Sequence, residues 1–384
     1  GVGIFLKDQG TFLNVIDKSS QAIVIGNTAK TGSGGGVGIY TGASLGLLAP
    51  SIFRGNSAPN GNGGAVGYVS DSEEDDGGAS CVSVDLRIKS TNPTHGGLPQ
   101  SSPIEVSTTP NTALSSKDWG ALINSEGNGL AGDQITKWCI PCGSYKLTVS
   151  QVYGNGKLGA GSFVKLSLSA RPGVVLLKSL VNAASSTSTS SFSLSCSDQG
   201  VAATSAIFEN NHAKLGGALG MPSKRKYGIF DITASTFINN TAETGGAAYA
   251  SGINSGLKLS GGCRMEKNSA KNKGGSLAIE DQAGLRIQDM IATANQVEEG
   301  DGGFLYAQFA SPILLQDVSI SKSSSTQGNG GALAVTASQI ALEKVEIKKC
   351  STKVGDGGAI FLDGEAEAHL LRSDLINNRA AAAG

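Results

Sequence analysis

Apolar residues in the C-terminal half of the chain advance by two, slip, and advance by two again. Ile313, Leu315, Val318 and Ile320 form one copy, Ile340, Leu342, Val345 and Ile347 the next, and Leu285, Ile287, Met290 and Ala292 an earlier one. Residues i and i+2 share a face of a strand, so each copy predicts two short alternating strands with a one-residue register step between them. A third short strand follows, as in Ala359-Ile360-Phe361-Leu362. Helix is a poor reading: no helical stripe persists, and β-branched residues fill many of the apolar positions.

Paired glycines punctuate the strands at Gly216-Gly217, Gly245-Gly246, Gly274-Gly275, Gly302-Gly303, Gly330-Gly331 and Gly357-Gly358, at intervals of 29, 29, 28, 28 and 27 residues. Three strands this short cannot bury a face alone, but they can when stacked on copies of themselves. The predicted fold is all-β, a parallel β-helix with about 27–29 residues per coil. Glycine reaches positive φ without penalty, and Asn and Asp reach it more easily than most; Asn62, Asp301, Asn329 and Asp356 each precede a pair. A second corner carries Asn211, Asn240, Asn268 and Asn295, which are expected to stack and hydrogen-bond along the ladder. Ser323 and Cys350 take that place in two later copies, predicting weaker rungs.

The first 70 residues carry the same repeat, with Gly35-Gly36-Val37 and Gly63-Gly64-Ala65-Val66 read as successive pairs. Gly1-Val2-Gly3-Ile4-Phe5 matches Gly36 to Tyr40, so the chain starts within a copy. At the other end Leu375 to Ala380 aligns with Phe237 to Ala242, placing Gly384 at a second glycine. An open coil presents unpaired backbone groups, so both ends are expected to be covered by further chain or by neighbouring subunits.

Between Gly64 and Gly217 the period fails, and about 125 residues lie outside the array. This insertion opens with the acidic run Asp71 to Asp76 and contains alternating runs at Val82–Ile88, Tyr145–Val149 and Phe163–Leu168. Alternation with turn signals predicts a small β-sandwich, similar to immunoglobulin-like modules. The Ser/Thr/Ala stretch from Ala183 to Ser191 reads as a linker, and Phe192 to Cys196 as the return to the array. The expected division is 1–71, 72–190 and 191–384.

Composition narrows the function classes. Net charge is −1, with no basic block interleaved with aromatics, which argues against nucleic acid as a partner. Hydrophobic residues make up 39% of the chain, enough to exclude disorder. No apolar run approaches the roughly 18 residues of a membrane span.

The pairing of Phe-x-x-Asn with Gly-Gly-Ala resembles the repeat of the chlamydial polymorphic membrane proteins and their relatives in other bacteria and in algae. Phe53 to Asn56 with Gly63 to Val66, Phe208 to Asn211 with Gly216 to Leu219, and Phe237 to Asn240 with Gly245 to Ala247 carry it. Looser copies extend it over roughly residues 1–70 and 195–384. The resemblance implies a right-handed parallel β-helix, a pectin-lyase-like solenoid, exposed at a cell surface and serving adhesion or structure. Later copies lose the Phe and Asn, and no outer-membrane barrel follows. Cys139-Ile140-Pro141-Cys142 is closer to cysteine-rich modules of eukaryotic secreted proteins, so an algal or protist surface protein, a filament or flagellar-hair component, is a further reading. The partners this implies are other surface or filament subunits and glycans.

Chemistry is sparse. Cys263 and Cys350 hold inward-type positions three repeats apart, at least roughly 14 Å at about 4.8 Å per coil, too far for a disulfide. Both read as buried small apolar residues. Cys81, Cys139, Cys142 and Cys196 are disulfide candidates for an oxidising compartment, paired either 81–196 with 139–142 or 81–139 with 142–196. Many parallel β-helices cleave polysaccharides, and a carbohydrate-active enzyme is the alternative function. That chemistry needs clustered outward carboxylates. Asp289, Asp317 and Lys344 hold equivalent corners and nothing joins them, and His95, His212 and His369 are scattered, so no catalytic residue is assigned. The run Asp71 to Asp76 lacks calcium-loop spacing, so no metal or cofactor is assigned. Asn239 of Asn239-Asn240-Thr241 is a glycosylation candidate.

Overall fold

A four-residue strand has nothing to pair with inside its own coil, so each pairs with the same strand one coil away. In the computed structural model the described residues are 3–6, 12–15, 21–40, 43–69, 200–222, 228–252, 255–310 and 313–381, with the strands lying between 81 and 194. The chain divides into two compact units, Gly1–Gly78 with Gln199–Gly384, and Ala79–Asp198. The first is a parallel β-helix of about eight turns.

Three sheets wall it. One has nine strands, beginning Ile4–Leu6, Val37–Tyr40, Val66–Val69, Leu219–Pro222 and ending Ile360–Asp363. The second has fifteen strands and takes two segments from each coil; the third has seven short ones, from Ser57–Asn62 to Ser351–Thr352. Val318 pairs with Val345 and Ile320 with Ile347, and all four are at most 2% exposed, as the alternation predicts. The slip between the two alternating segments has a backbone cause. Asp289, Asp317 and Lys344 sit at φ of 57°, 53° and 53°. One left-handed residue bends the strand so that Leu315 and Val318, three positions apart, both face inward.

The inward columns pack into one continuous core, in which Phe53, Phe208 and Phe237 stack with ring centroids 5.3 and 4.7 Å apart. The two glycines of a pair serve different ends. The first lies at φ between 61° and 75° in every coil from Gly34 to Gly357, a conformation glycine adopts freely. The second admits no side chain: a Cβ on Gly246 would collide with the carbonyl oxygens of Gly275 and Ser269. In the last coil the inward-type residues Leu362, Leu370 and Leu375 are 41%, 46% and 47% exposed.

Two registers differ from expectation. Val37 pairs with Val66 and Ile4 with Val37, so the N-terminal pair is Gly34-Gly35 and Gly36 stands where Ala65 stands. Three consecutive glycines hide the phase, and it is the left-handed φ of 70° at Gly34 that marks the first of the pair. Ile4 therefore lies beside Val37, not Ile39. At the insertion, Thr187–Leu194 pairs antiparallel with Gly143–Gln151 along most of its length. The Ser/Thr stretch is therefore largely a strand of the insertion, and the array resumes at Gly200–Thr204. Threonine is a good strand residue once a partner is present, which composition does not register.

The insertion holds two antiparallel sheets. Cys81–Lys89, Asp133–Pro141, Phe163–Leu168 and Arg171–Leu180 form one; Ile104–Glu105, Gly143–Gln151 and Thr187–Leu194 form the other. It does not interrupt the solenoid, because Leu219 pairs directly with Val66 and Phe208 with Phe53.

Candidate functional site

Outward positions on the nine-stranded sheet form a column through Gly220, Tyr249, Ala278, Tyr306, Ala334 and Phe361. Large and small residues alternate from Tyr249 onward. Ala278 and Ala334, although outward, are 0% and 1% exposed, flanked along the column by the rings of the coils beside them. Around Tyr249 and Tyr306 lies a connected group of outward polar side chains. Lys273, at the end of Ser269–Lys273, donates from Nζ to Glu280 Oε1 at 2.9 Å and to Gln308 Oε1 at 3.4 Å. Tyr249 donates its hydroxyl to Glu280 Oε2 at 3.0 Å, and Tyr306 donates to Gln308 Oε1 at 3.0 Å. Lys273 Nζ also stands 4.7 Å from the centroid of the Tyr306 ring, a cation–π contact of about 0.5–1 kcal/mol. Beside them Ser251 donates to Asp281 Oδ2 at 2.9 Å.

The electrostatics follow from this geometry. Burial, and then the Glu280 charge, push the Tyr249 hydroxyl well above the ordinary tyrosine range. Burial raises Tyr306 too, opposed by the Lys273 charge. For Lys273, partial burial works against the charge, but the bonded Glu280 carboxylate outweighs it and the net shift is upward. Each oxygen of Glu280 is thus taken by a donor, one from its own coil and one from the preceding coil, and the carboxylate acts as a fastening between coils.

Elsewhere the outward side chains also pair across coils. Arg54 reaches Glu209 at 2.7 Å, Lys258 reaches Asp231 at 3.3 Å, and Arg372 reaches Glu343 at 2.9 Å. Of the equivalent corners, Lys344 lies 3.5 Å from Asp317. His212 Nδ1 is 3.0 Å from Thr241 Oγ1 on the next coil, while His369 lies 3.6 Å from Glu367 at the surface. No three His, Cys, Asp or Glu side chains group as a metal set among the described residues, and none of these residues forms a helix long and apolar enough to cross a membrane.

Asn239 is exposed at φ 53°, and its neighbour Asn240 is buried in the ladder. Cys263 and Cys350 are both 0% exposed and free, as their inward positions predict, and burial raises both thiols, Cys350 to about 11. Cys81 and Cys139 fall in strands of the insertion whose backbone alone is described; Cys142, Cys196, His95 and the acidic run 71–76 lie outside the described residues. The Lys273–Glu280–Tyr249 group escaped the sequence reading, although Tyr249 and Tyr306 stand 57 residues apart, two periods, which was a usable signal.

The class the fold defines is the parallel β-helix with an inserted β-rich module. Beyond that class, no family model, curated protein or solved structure matches the chain.

Proposed function

We propose that the chain is a non-enzymatic extracellular scaffold at a cell surface, structural or adhesive, a subunit of a surface filament whose partners are other subunits and glycans. The observation that carries this reading is the use made of the outward polar groups. Several charged and hydroxyl side chains of one coil bond to those of the next, as Arg54 does to Glu209 and Tyr249 to Glu280, and Glu280 has both oxygens occupied. Such a surface is suited to rigidity along its axis.

The test is to incubate the purified protein with a panel of acidic and neutral polysaccharides, and in parallel to score its binding to immobilised glycans and to itself. Retention on a glycan or assembly into higher species, without new chain ends, is the expected result. Depolymerisation that disappears in Glu280→Gln would overturn the scaffold reading in favour of a carbohydrate-active enzyme.

A further inference from the structure

Many bases in the C-terminal coils are matched with an acid. Lys258, Lys271, Lys273, Lys344, Lys348 and Arg372 each lie within 3.6 Å of a carboxylate. Lys322, Lys349, Lys353 and Arg379 are exposed and take part in no ion pair among the described residues.

The register brings these four together. Lys322 and Lys349 hold the same corner one coil apart, since Ser321 pairs with Lys348. Lys349 and Lys353 stand two residues either side of Ser351, and Arg379 bridges to Ser351 from the following coil. With about 4.8 Å between coils and about 3.3 Å per residue, their Cα atoms lie within roughly 14 Å of one another. Ser324 and Ser351, both half-buried, sit paired between them. Of the carboxylates alongside, Glu346 is taken by Lys348 at 2.6 Å and by Ser319 at 3.3 Å. Asp374 lies beside Glu346 on the next coil, and Glu298 is two coils from Lys353.

The corner is itself unusual. It requires a left-handed backbone, with φ between 53° and 68° in every coil from Gly26 to Asn377. Gly26, Gly55, Asn210, Asn239 and Asn377 adopt that conformation readily. Lys267, Ala294, Lys322 and Lys349 lack that ease, and three of these four carry a charge. At Lys322 and Lys349 the corner gives up backbone ease for two like charges in succession, beside two more that are unpaired.

We propose that this face binds an acidic polysaccharide, which rests on the glycan-binding reading above and names the class of glycan. Carboxylate or sulfate groups of the polymer sit on Lys322, Lys349, Lys353 and Arg379, and its hydroxyls meet Ser324 and Ser351. Four uncompensated like charges repel one another, and a polyanion removes that repulsion. A nucleic acid fits worse, because residues 319–327, 346–354 and 374–380 contain no aromatic side chain to stack a base. An anionic membrane fits worse too, because exposed Val354 and Ile376 do not make the broad apolar face that inserts into a membrane surface.

The test compares the parent with a Lys322→Asn, Lys349→Asn, Lys353→Gln variant. A Lys30→Gln, Lys214→Gln, Lys258→Gln control loses the same charge elsewhere. Asn is the residue other coils use at this corner, so the first variant is expected to melt no lower than the parent. Immobilised dextran sulfate, polygalacturonate and neutral dextran are the probes, with phosphatidylserine vesicles in parallel. The parent is expected to be retained on an acidic polymer and not on dextran, with affinity at least about tenfold lower in the corner variant and within about twofold in the control. Lys353→Gln alone, which leaves the corner backbone untouched, is expected to lose about threefold. Retention on both acidic polymers assigns any anionic group, and retention on one assigns sulfate or carboxylate. Equal losses in variant and control would overturn the site. Binding undiminished in the variant, to any of the polysaccharides, would overturn it and leave the glycan reading standing. No binding of the parent to any of them would overturn both. Vesicle binding lost in the variant, without polymer binding, would assign the face to anionic lipid instead.

Discussion

Asn240 shows how much one residue type does in this fold. Its backbone N–H and Nδ2 both donate to Asn268 Oδ1 at 3.0 Å, and Nδ2 also donates to the Phe208 carbonyl at 2.9 Å. Its own Oδ1 accepts the same two donations from Asn211. The ladder runs from Asn27 to Asn295 and then fails, for Ser323 Oγ is buried with no partner. It resumes at Asn378, which accepts from the Cys350 N–H at 2.9 Å. Asn240→Ala leaves several buried groups unpaired and is expected to cost about 2–4 kcal/mol. Ser323→Asn occupies a place shaped like its neighbours and is expected to stabilise by about 1 kcal/mol. Urea midpoints of the two variants check both signs; a Ser323→Asn protein less stable than its parent would show that the ladder is not what holds this corner.

At the scale of the coil, stability depends on contacts between like positions, and the polar group on the nine-stranded sheet ties its coils by charge. Three of its titrating members have folded pKa values raised above the ordinary 10.5 for Lys273 and 10.0 for Tyr249 and Tyr306. A raised value favours the protonated form in the folded state, so the contribution is complete below about pH 10 and is lost as pH climbs beyond it. The buried thiols, Cys350 at about 11, act in the same direction. Stability is therefore expected to hold between pH 8 and about 9, to fall first as the buried thiols ionise and further above about pH 10, with a shallower fall above pH 10 in a Tyr249→Phe, Lys273→Met double variant. Denaturation midpoints across that range provide the check, and an unchanged slope in the variant would remove this group from the account.

For the whole molecule the decisive feature is that the insertion leaves no gap. It replaces a corner that elsewhere takes two to five residues, three between Val37–Tyr40 and Ser44–Leu47 and between Ala248–Ser251 and Ser255–Ser260. Joining Val69 to Gly200 through such a corner is expected to leave the solenoid folded, with the β-sheet circular dichroism spectrum and cooperative melting of the parent. Loss of that spectrum would mean that the coils need the insertion.

The repeat length, the inward columns, the asparagine corner and the burial of Cys263 and Cys350 were all legible from residues alone. Each is a local alternation copied many times, and copying turns a weak signal into a phase. What the chain order could not express is which outward side chains meet one coil away. Lys273, Glu280 and Tyr249 come together only because stacking brings positions up to 31 residues apart side by side. The phase at Gly34-Gly35 and the end of the insertion at Leu194 were likewise settled by hydrogen-bonded register. A glycine run and a Ser/Thr run fit several registers by composition, and only pairing with a partner strand selects one.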